Sequence, residues 1–236
     1  MKKQDKIIAM FDDISPSYDK ANRILSFGVD VSWRQRACKK VLRCFDSKNA
    51  LKILDVACGT GDMIQSWQES AKNLSKKISS IRGVDPSGGM LGIAKSKFKD
   101  IEFIQALAQD LPIKDKEVNI LSISYGIRNV VQRKEALSEF ARVLKKDGIL
   151  LVLEFTRREK GGFVAIFRDF YLKYILPKIG AYLSNNKEAY EYLPNSIDDF
   201  LSKDEFMQEL REAGFEMMFY ESFSFDVSSM FIARKL

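Results

Sequence analysis

The stretch from Leu51 to Asp62, LKILDVACGTGD, constrains this chain more than any other. Leu51, Ile53, Leu54 and Val56 form a short apolar run, the pattern of a strand buried on both faces. Asp55 stands at its carboxyl end, Cys58-Gly59-Thr60-Gly61 makes a turn, and Asp62-Met63-Ile64 opens a helix. Gly59 and Gly61 lack a Cβ, so the backbone can take unusual φ there and a ligand can lie directly on it. In open parallel sheets, ligands sit outside the carboxyl ends of the strands. The spacing is D-x-x-x-G-x-G, with Ile64 where the third glycine of G-x-G-x-x-G would fall. That weakens a dinucleotide reading. Taken alone, the turn is either a binding loop or a connection.

A second signal turns it into a candidate site. Ser80 to Asp85 reads as another strand closing on an acid. Asp85 follows Gly61 at about the 20-residue spacing of one strand–helix–strand step. A carboxylate there can accept hydrogen bonds from both hydroxyls of a ribose, or it can serve the helix that starts near Ser87. DVACGTGD followed by GVDPSGGML resembles the motifs of S-adenosylmethionine-dependent methyltransferases of the Rossmann-like class.

Composition narrows the chemistry. A chain of 236 residues, 46% hydrophobic and 30% charged, suits one globular domain with a substantial core. The start, MKKQDKIIAMFDD, has no apolar h-region, so we expect no secretory signal. No run approaches the roughly 18 apolar residues of a membrane-spanning helix. Three cysteines (Cys38, Cys44 and Cys58) form no C-x-x-C pair, which points to a reducing cytoplasm and to no metal framework. The chain has no histidine, which excludes His-based triads and removes the commonest general base. The net charge is +6, with one concentration at Arg34, Arg36, Lys39, Lys40 and Arg43 on a helix expected from Ser32. That cluster is a solvated face, an attraction to an anionic leaflet, or an RNA contact.

The chain then reads in order. Residues 1–50 are a helical lead-in. Met63 to Leu74 is a helix, and Met90, Leu91, Ala94 and Phe98 mark one face of the next. Ile101 to Ala106 is a third strand, leading into Leu107 and Ala108, where backbone can pair with an adenine edge. Val118 to Ser124 is a fourth strand, ending in Tyr125-Gly126-Ile127-Arg128-Asn129. A helix through Ala136 to Leu144 precedes a fifth strand from Gly148, ILLVLEF. This alternation predicts an α/β parallel sheet over 51–155. Residues 156–200 break it with two aromatic-rich helical stretches, Phe163–Leu176 and Lys178–Tyr192, which pack on the core, cover a greasy ligand, or both. In 201–236, Ser202 and Glu205 form a capping box, Gly214 stops that helix, and two strands, Phe215–Tyr220 and Met230–Ala233, end the chain.

Across nearly its full length the chain resembles the ubiquinone/menaquinone C-methyltransferase family. The resemblance rests on FDDISPSYDKANRILSFG, LDVACGTGD, SISYGIRNV, LEF and LPKIGAYLSNNKEAYEYLPNSI. It implies a Rossmann-like class I methyltransferase sheet with helices on both faces, an N-terminal helical segment, and a helical insertion after the fifth strand that covers the acceptor. It implies methyl transfer from S-adenosylmethionine to a ring carbon of a polyprenyl quinol, with demethylmenaquinol favoured over a benzoquinol. By position, Asp55, Gly59, Thr60, Gly61, Asp85, Leu107, Ala108 and Ser124 would serve the cofactor. A cytoplasmic protein in peripheral contact with the inner face of the membrane is expected, with no nucleic acid bound and a homodimer left open. Three departures from the family stand out. Leu107 replaces an acidic or amide side chain, a common histidine is replaced around Asp30, and the end FDVSSMFIARKL lacks the usual histidine.

The chemistry has its own logic. A ring carbon beside a phenolate is enolate-like and attacks a sulfonium methyl held close and in line. Arg128 cannot be a base, because guanidinium stays protonated. It is either a fixed cation beside the oxygen where charge develops or a member of a structural ion pair. Asn129 can donate a second hydrogen bond. Tyr18, Asp19 or a carboxylate-held water would take protons. Two other functions compete: a methyltransferase for another small acceptor, and an RNA-binding protein suggested only by the basic balance.

Overall fold

Neighbouring apolar runs that are buried on both faces must stack side by side. The computed structural model, which describes residues 2–46, 50–157, 187–224 and 226–236, shows them doing so. For residues 187–191 only the backbone is described. The expected helices over Phe163–Leu176 and most of Lys178–Tyr192 lie outside the described residues.

Strands β1 (Leu51–Val56), β2 (Ile78–Asp85), β3 (Glu102–Gln105), β4 (Val118–Ser124) and β5 (Leu144–Glu154) run parallel. A hairpin of β6 (Phe215–Phe223) and β7 (Ser228–Lys235) completes the sheet, with β7 antiparallel to β5. The order is β3-β2-β1-β4-β5-β7-β6. The chain walks outward from β1 to β3, then returns to lay β4 against the other side of β1. Connections therefore leave β1 and β4 in opposite directions, and a crevice opens between their carboxyl ends. Asp55 on β1 lies beside Ser122 on β4 across that seam.

Helices cover both faces. On one, α2 (Val29–Leu42) and α3 (Asp62–Asn73) bury Val41, Leu42 and Trp67 against the sheet. On the other, α5 (Arg133–Val143) and the later helix α7 (Lys203–Glu212) bury Phe140 and Phe206 against Phe231 of β7. The capping box expected at Ser202 and Glu205 starts α7, and Gly214 ends it at φ +86.

Helix α1 (Lys3–Leu25) lies across the carboxyl edge, packed on α4 (Gly88–Lys97) and on α6 (Lys187–Asp198) through Ile14, Ala21, Met90 and Ile197. Polar ties fix it there. Asp12 Oδ1 accepts the Ser87 hydroxyl and the Gly89 N–H (2.9 Å) at the start of α4, where a carboxylate also suits the helix dipole. The approach is close enough that a Cβ on Gly89 would meet Ser15 Oγ at 2.8 Å. Glycine is therefore dictated there by space.

Candidate functional site

The turn after β1 departs from standard backbone three times in five residues: Ala57, Gly59 and Gly61 have φ of 51, 54 and 95. Gly61 then starts α3, and the turn curls so that the Gly59 N–H donates to Asp85 Oδ2 at 2.9 Å. The other oxygen of Asp85 accepts the Ser87 N–H at 2.8 Å. Burial pushes the Asp85 carboxyl up to about 6, against the pull of these two N–H donors. The acid thus ties the glycine turn to the end of β2 and faces the first of two adjoining cavities.

That cavity is lined by Gly59, Asp85, Met90, Leu107, Ala108 and Ser124, with Ile7 and Phe11 of α1 above. The Ser124 hydroxyl is buried without a hydrogen-bond partner among the described residues. A carboxylate for ribose hydroxyls, an apolar slot for a purine ring and an unpartnered hydroxyl make a donor set that fits S-adenosylmethionine. Three residues expected at the cofactor do not line the cavity: Gly61, which caps α3, and Asp55 and Thr60, which stand behind it. Asp55 is 1% exposed and accepts from Ser122 Oγ (2.6 Å), which in turn accepts from Trp67 Nε1 (3.0 Å). Burial pushes the Asp55 carboxyl up to about 7. Thr60 donates its hydroxyl to Asp19 of α1. These two hold the turn's shape.

The second cavity, about 330 Å³, falls within the roughly 300–1,000 Å³ of ligand pockets. Its walls are mostly apolar: Met10, Ile14, Leu25, Trp33, Phe155 and Leu193. Phe11, Tyr18 and Tyr125 line both cavities and stand where they meet. Burial raises Tyr18 and pushes Tyr125 up to about 12, so both are neutral phenols near pH 7. Tyr125 is held at φ 59, stacked on Phe155 with ring centroids 4.7 Å apart, and shares a 2.9 Å hydrogen bond with Ser228.

Arg128 reaches this second cavity from the short 3-10 turn Ile127–Asn129. Its Nη1 donates to Glu154 at the end of β5 and to the Tyr125 carbonyl, and its Nε donates to Ser196 of α6. The structural ion pair left open by the sequence is therefore present. Nη2 makes no hydrogen bond among the described residues, so one edge of the guanidinium is unpaired among them. Asn129 borders the first cavity and accepts from the Tyr192 hydroxyl at 3.0 Å.

Of the four residues expected in catalysis, the fold gathers Arg128, Asn129 and Tyr18. It does not bring Asp19. That carboxylate is committed to Thr60 and Lys97, away from both cavities, so a proton-accepting role for it is withdrawn. The basic run on α2 needs a second correction. Arg34 is 7% exposed and pairs with Asp30 and Asp62, Arg36 pairs with Glu221, and the Lys40 ammonium lies over the Phe219 ring. Asp30 is one helical turn away on α2 itself, just before the run, whereas Asp62, Glu221 and Phe219 sit on other elements. Sequence reasoning also missed Tyr125, Glu154 and Tyr192. Each lies inside a segment that carried the resemblance, and for Tyr125 and Glu154 the signal was a large or charged side chain at a strand end.

The strand order, the acid-ended β1 and β2, and the glycine turn between them define a Rossmann-like class I methyltransferase. The family model described as the ubiE/COQ5 methyltransferase family matches residues 1–235, and the chain belongs to that family. It is thus a methyltransferase, with S-adenosylmethionine as its methyl donor. It is 66% identical over 236 residues, the whole of both chains, to a ubiquinone/menaquinone biosynthesis C-methyltransferase of Campylobacter jejuni strain 81-176. It is 37% identical over 98% of its length to a demethylmenaquinone methyltransferase of Thermotoga maritima, covering 96% of that protein. Among solved structures, a SAM-dependent methyltransferase of Thermotoga maritima superposes with a TM-score of 0.60 over 98% of this chain and all of that one. At 19% identity, this likeness speaks for the fold alone. Among the described residues no cluster of acids and cysteines could hold a metal, and no helix is long and apolar enough to cross a membrane.

Proposed function

We propose that the chain, acting as a single methyltransferase domain, methylates a ring carbon of a polyprenyl quinol, demethylmenaquinol, in quinone biosynthesis. The observation that carries this reading is the pair of adjoining cavities. One fits the cofactor, the other is large and apolar, and Tyr18 stands between them with Arg128 in the second wall.

Bound S-adenosylmethionine supplies a methyl on a positively charged sulfur, an electrophile that a phenolate-activated carbon can attack. The chain's own residues must hold the acceptor and make the phenolate accessible. An ordinary phenol loses its proton near pH 10, as free tyrosine does. The open edge of Arg128 lowers that barrier by facing the ring oxygen as charge develops. Tyr18, kept neutral by burial, donates a hydrogen bond and is not the base. The Asn129 side-chain oxygen is occupied by Tyr192, and its amide N–H groups are left to serve a ligand at the border of the first cavity. The phenol proton leaves to water as the phenolate forms. Once the carbon takes the methyl and the C–S bonding pair stays on the departing sulfur, the ring proton leaves to water and the product oxygen regains a proton. The apolar walls around Leu25, Trp33 and Leu193 take the start of the prenyl tail. A peripheral position at the cytoplasmic face of a membrane, without nucleic acid, follows from such a substrate.

The test offers demethylmenaquinol and 2-methoxy-6-polyprenyl-benzoquinol separately, with methyl-labelled donor. We expect label in the naphthoquinol product. Label only in the benzoquinol would replace the acceptor, and label in neither would remove the quinol reading.

A further inference from the structure

A prenylated acceptor resides in a bilayer, so the cavity that receives it must open where the protein meets lipid. The turn joining α1 to α2 lies on that rim, with Phe27 and Val29 both lining the cavity mouth. Phe27 is 81% exposed and Val29 41%. Ile24, also 41% exposed, stands one helical turn before Phe27, outside the cavity lining. The other exposed large apolar side chains among the described residues, Val131, Met218 and Leu236, lie far apart in sequence. Such a cluster on a rim marks an interaction surface, whereas single exposed apolar residues do not. The backbone is shaped for it: Phe27 takes φ 51, a conformation a bulky residue rarely adopts, and Gly28 follows at φ 74 as the N-cap of α2. Exposed Lys20 sits four residues before Ile24, on the same helix face.

We propose that the turn Ile24–Val29 is a membrane-docking element. It buries Ile24, Phe27 and Val29 at the headgroup–acyl boundary of a bilayer, with the Lys20 ammonium among anionic headgroups. The acceptor's tail then passes between bilayer and cavity beside Phe27. The inference rests on the quinol reading for its choice of partner. It differs from an account based on the α2 cations, of which Arg34 and Arg36 are already paired with acids. Insertion is apolar first and electrostatic second, so binding to neutral vesicles persists while anionic lipid strengthens it.

The test is sedimentation of the full chain with phosphatidylcholine vesicles, with and without phosphatidylglycerol. Ile24→Ser and Phe27→Ser together should lower the partition coefficient by about 10-fold or more, the scale of exposing large apolar side chains. Val131→Ser, at an exposed apolar position elsewhere, should bind as wild type does. Ile24→Trp gives a second readout, since the native tryptophans Trp33 and Trp67 are buried, and its emission should shift to the blue on adding vesicles. Wild type that ignores vesicles, a double variant that binds as wild type does, or an unshifted Ile24→Trp spectrum would overturn the proposal. Wild-type turnover of a headgroup-only quinol without vesicles checks the quinol reading separately. Its failure, beside vesicle binding lost in the double variant, would sink that reading and leave the docking surface standing.

Discussion

Arg128 and Glu154 form a buried ion pair at the carboxyl ends of β4 and β5. The side chains are 6% and 0% exposed, and one carboxylate oxygen takes the guanidinium while the other accepts the Arg128 backbone N–H at 3.2 Å. Glu154 therefore fixes both the turn and the direction of the cation. Burial raises the Glu154 carboxyl, and Arg128 is the chief influence holding it down.

Removing the cation should therefore cost stability as well as activity. Breaking a buried pair by deleting one partner costs about 3–5 kcal/mol. In Arg128→Gln the Glu154 carboxyl rises further. A carboxyl raised in the folded state contributes its stability below its unfolded value and loses it as pH rises through the folded value. The stability deficit of Arg128→Gln should accordingly be small near pH 4.5 and grow toward pH 8. Urea melts at several pH values check this, and a deficit that is flat with pH would mean that Glu154 does not depend on Arg128.

Asp85 should make cofactor binding pH-dependent. Ribose hydroxyls donate to the carboxylate, so affinity for S-adenosylmethionine should fall as pH drops through about 6. Asp85→Ala should weaken binding by about 1.5–3 kcal/mol, the range for a hydrogen bond to a charged group. Calorimetry at pH 5.5 and 7.5 reads both effects. Equal affinity at the two pH values, unchanged in the variant, would take Asp85 out of the site.

Asp55 is also raised, but its consequence falls on stability and runs the other way with pH. Its carboxyl is pushed up to about 7, with Oδ2 buried and unpartnered among the described residues. The folded state therefore favours the protonated acid, and stability is lost as pH rises toward and through 7. Asp55→Asn keeps an acceptor for Ser122 and carries no charge. It should melt above wild type at pH 8, with the gap closing toward pH 4. A variant that melts lower at every pH would show that the ionised carboxylate is needed.

Tyr192 should act through Asn129. Tyr192→Phe loses one hydrogen bond, worth about 0.5–1.5 kcal/mol, and frees the amide to rotate. We expect kcat to fall by about 10-fold, with the KM for S-adenosylmethionine unchanged. A loss confined to stability would make Tyr192 a packing residue only.

Local patterns made much of this architecture legible in the sequence. The apolar run ending at Asp55, the glycines at 59 and 61, the acid at 85 and the capping box at Ser202 each depend on neighbours a few residues away. They appear where the pattern places them. What the pattern could not carry were partnerships between distant elements. Asp19 reads as a free acid until Thr60 and Lys97 fold against it, and Arg34 reads as a surface cation until Asp62 closes over it. Arg128 was legible as a site residue, but its orientation depends on Glu154, 26 residues later. Charge placement is set by tertiary contacts, and linear charge density is blind to them.

The central claim is that Arg128 stabilises the ring oxygen as charge develops, over and above its structural pairing. The most direct test is kcat for the double variant Arg128→Gln with Glu154→Gln, in which the buried pair becomes a neutral one of similar shape. Such replacements often leave stability intact. The account predicts a melting temperature near wild type and unchanged S-adenosylmethionine affinity. It predicts kcat lower by about 10²–10³-fold, the scale for losing one oxyanion stabiliser, with partial recovery as pH approaches the ionisation of the quinol near 10. A stable double variant with kcat close to wild type would contradict it, and Arg128 would then be a structural residue alone.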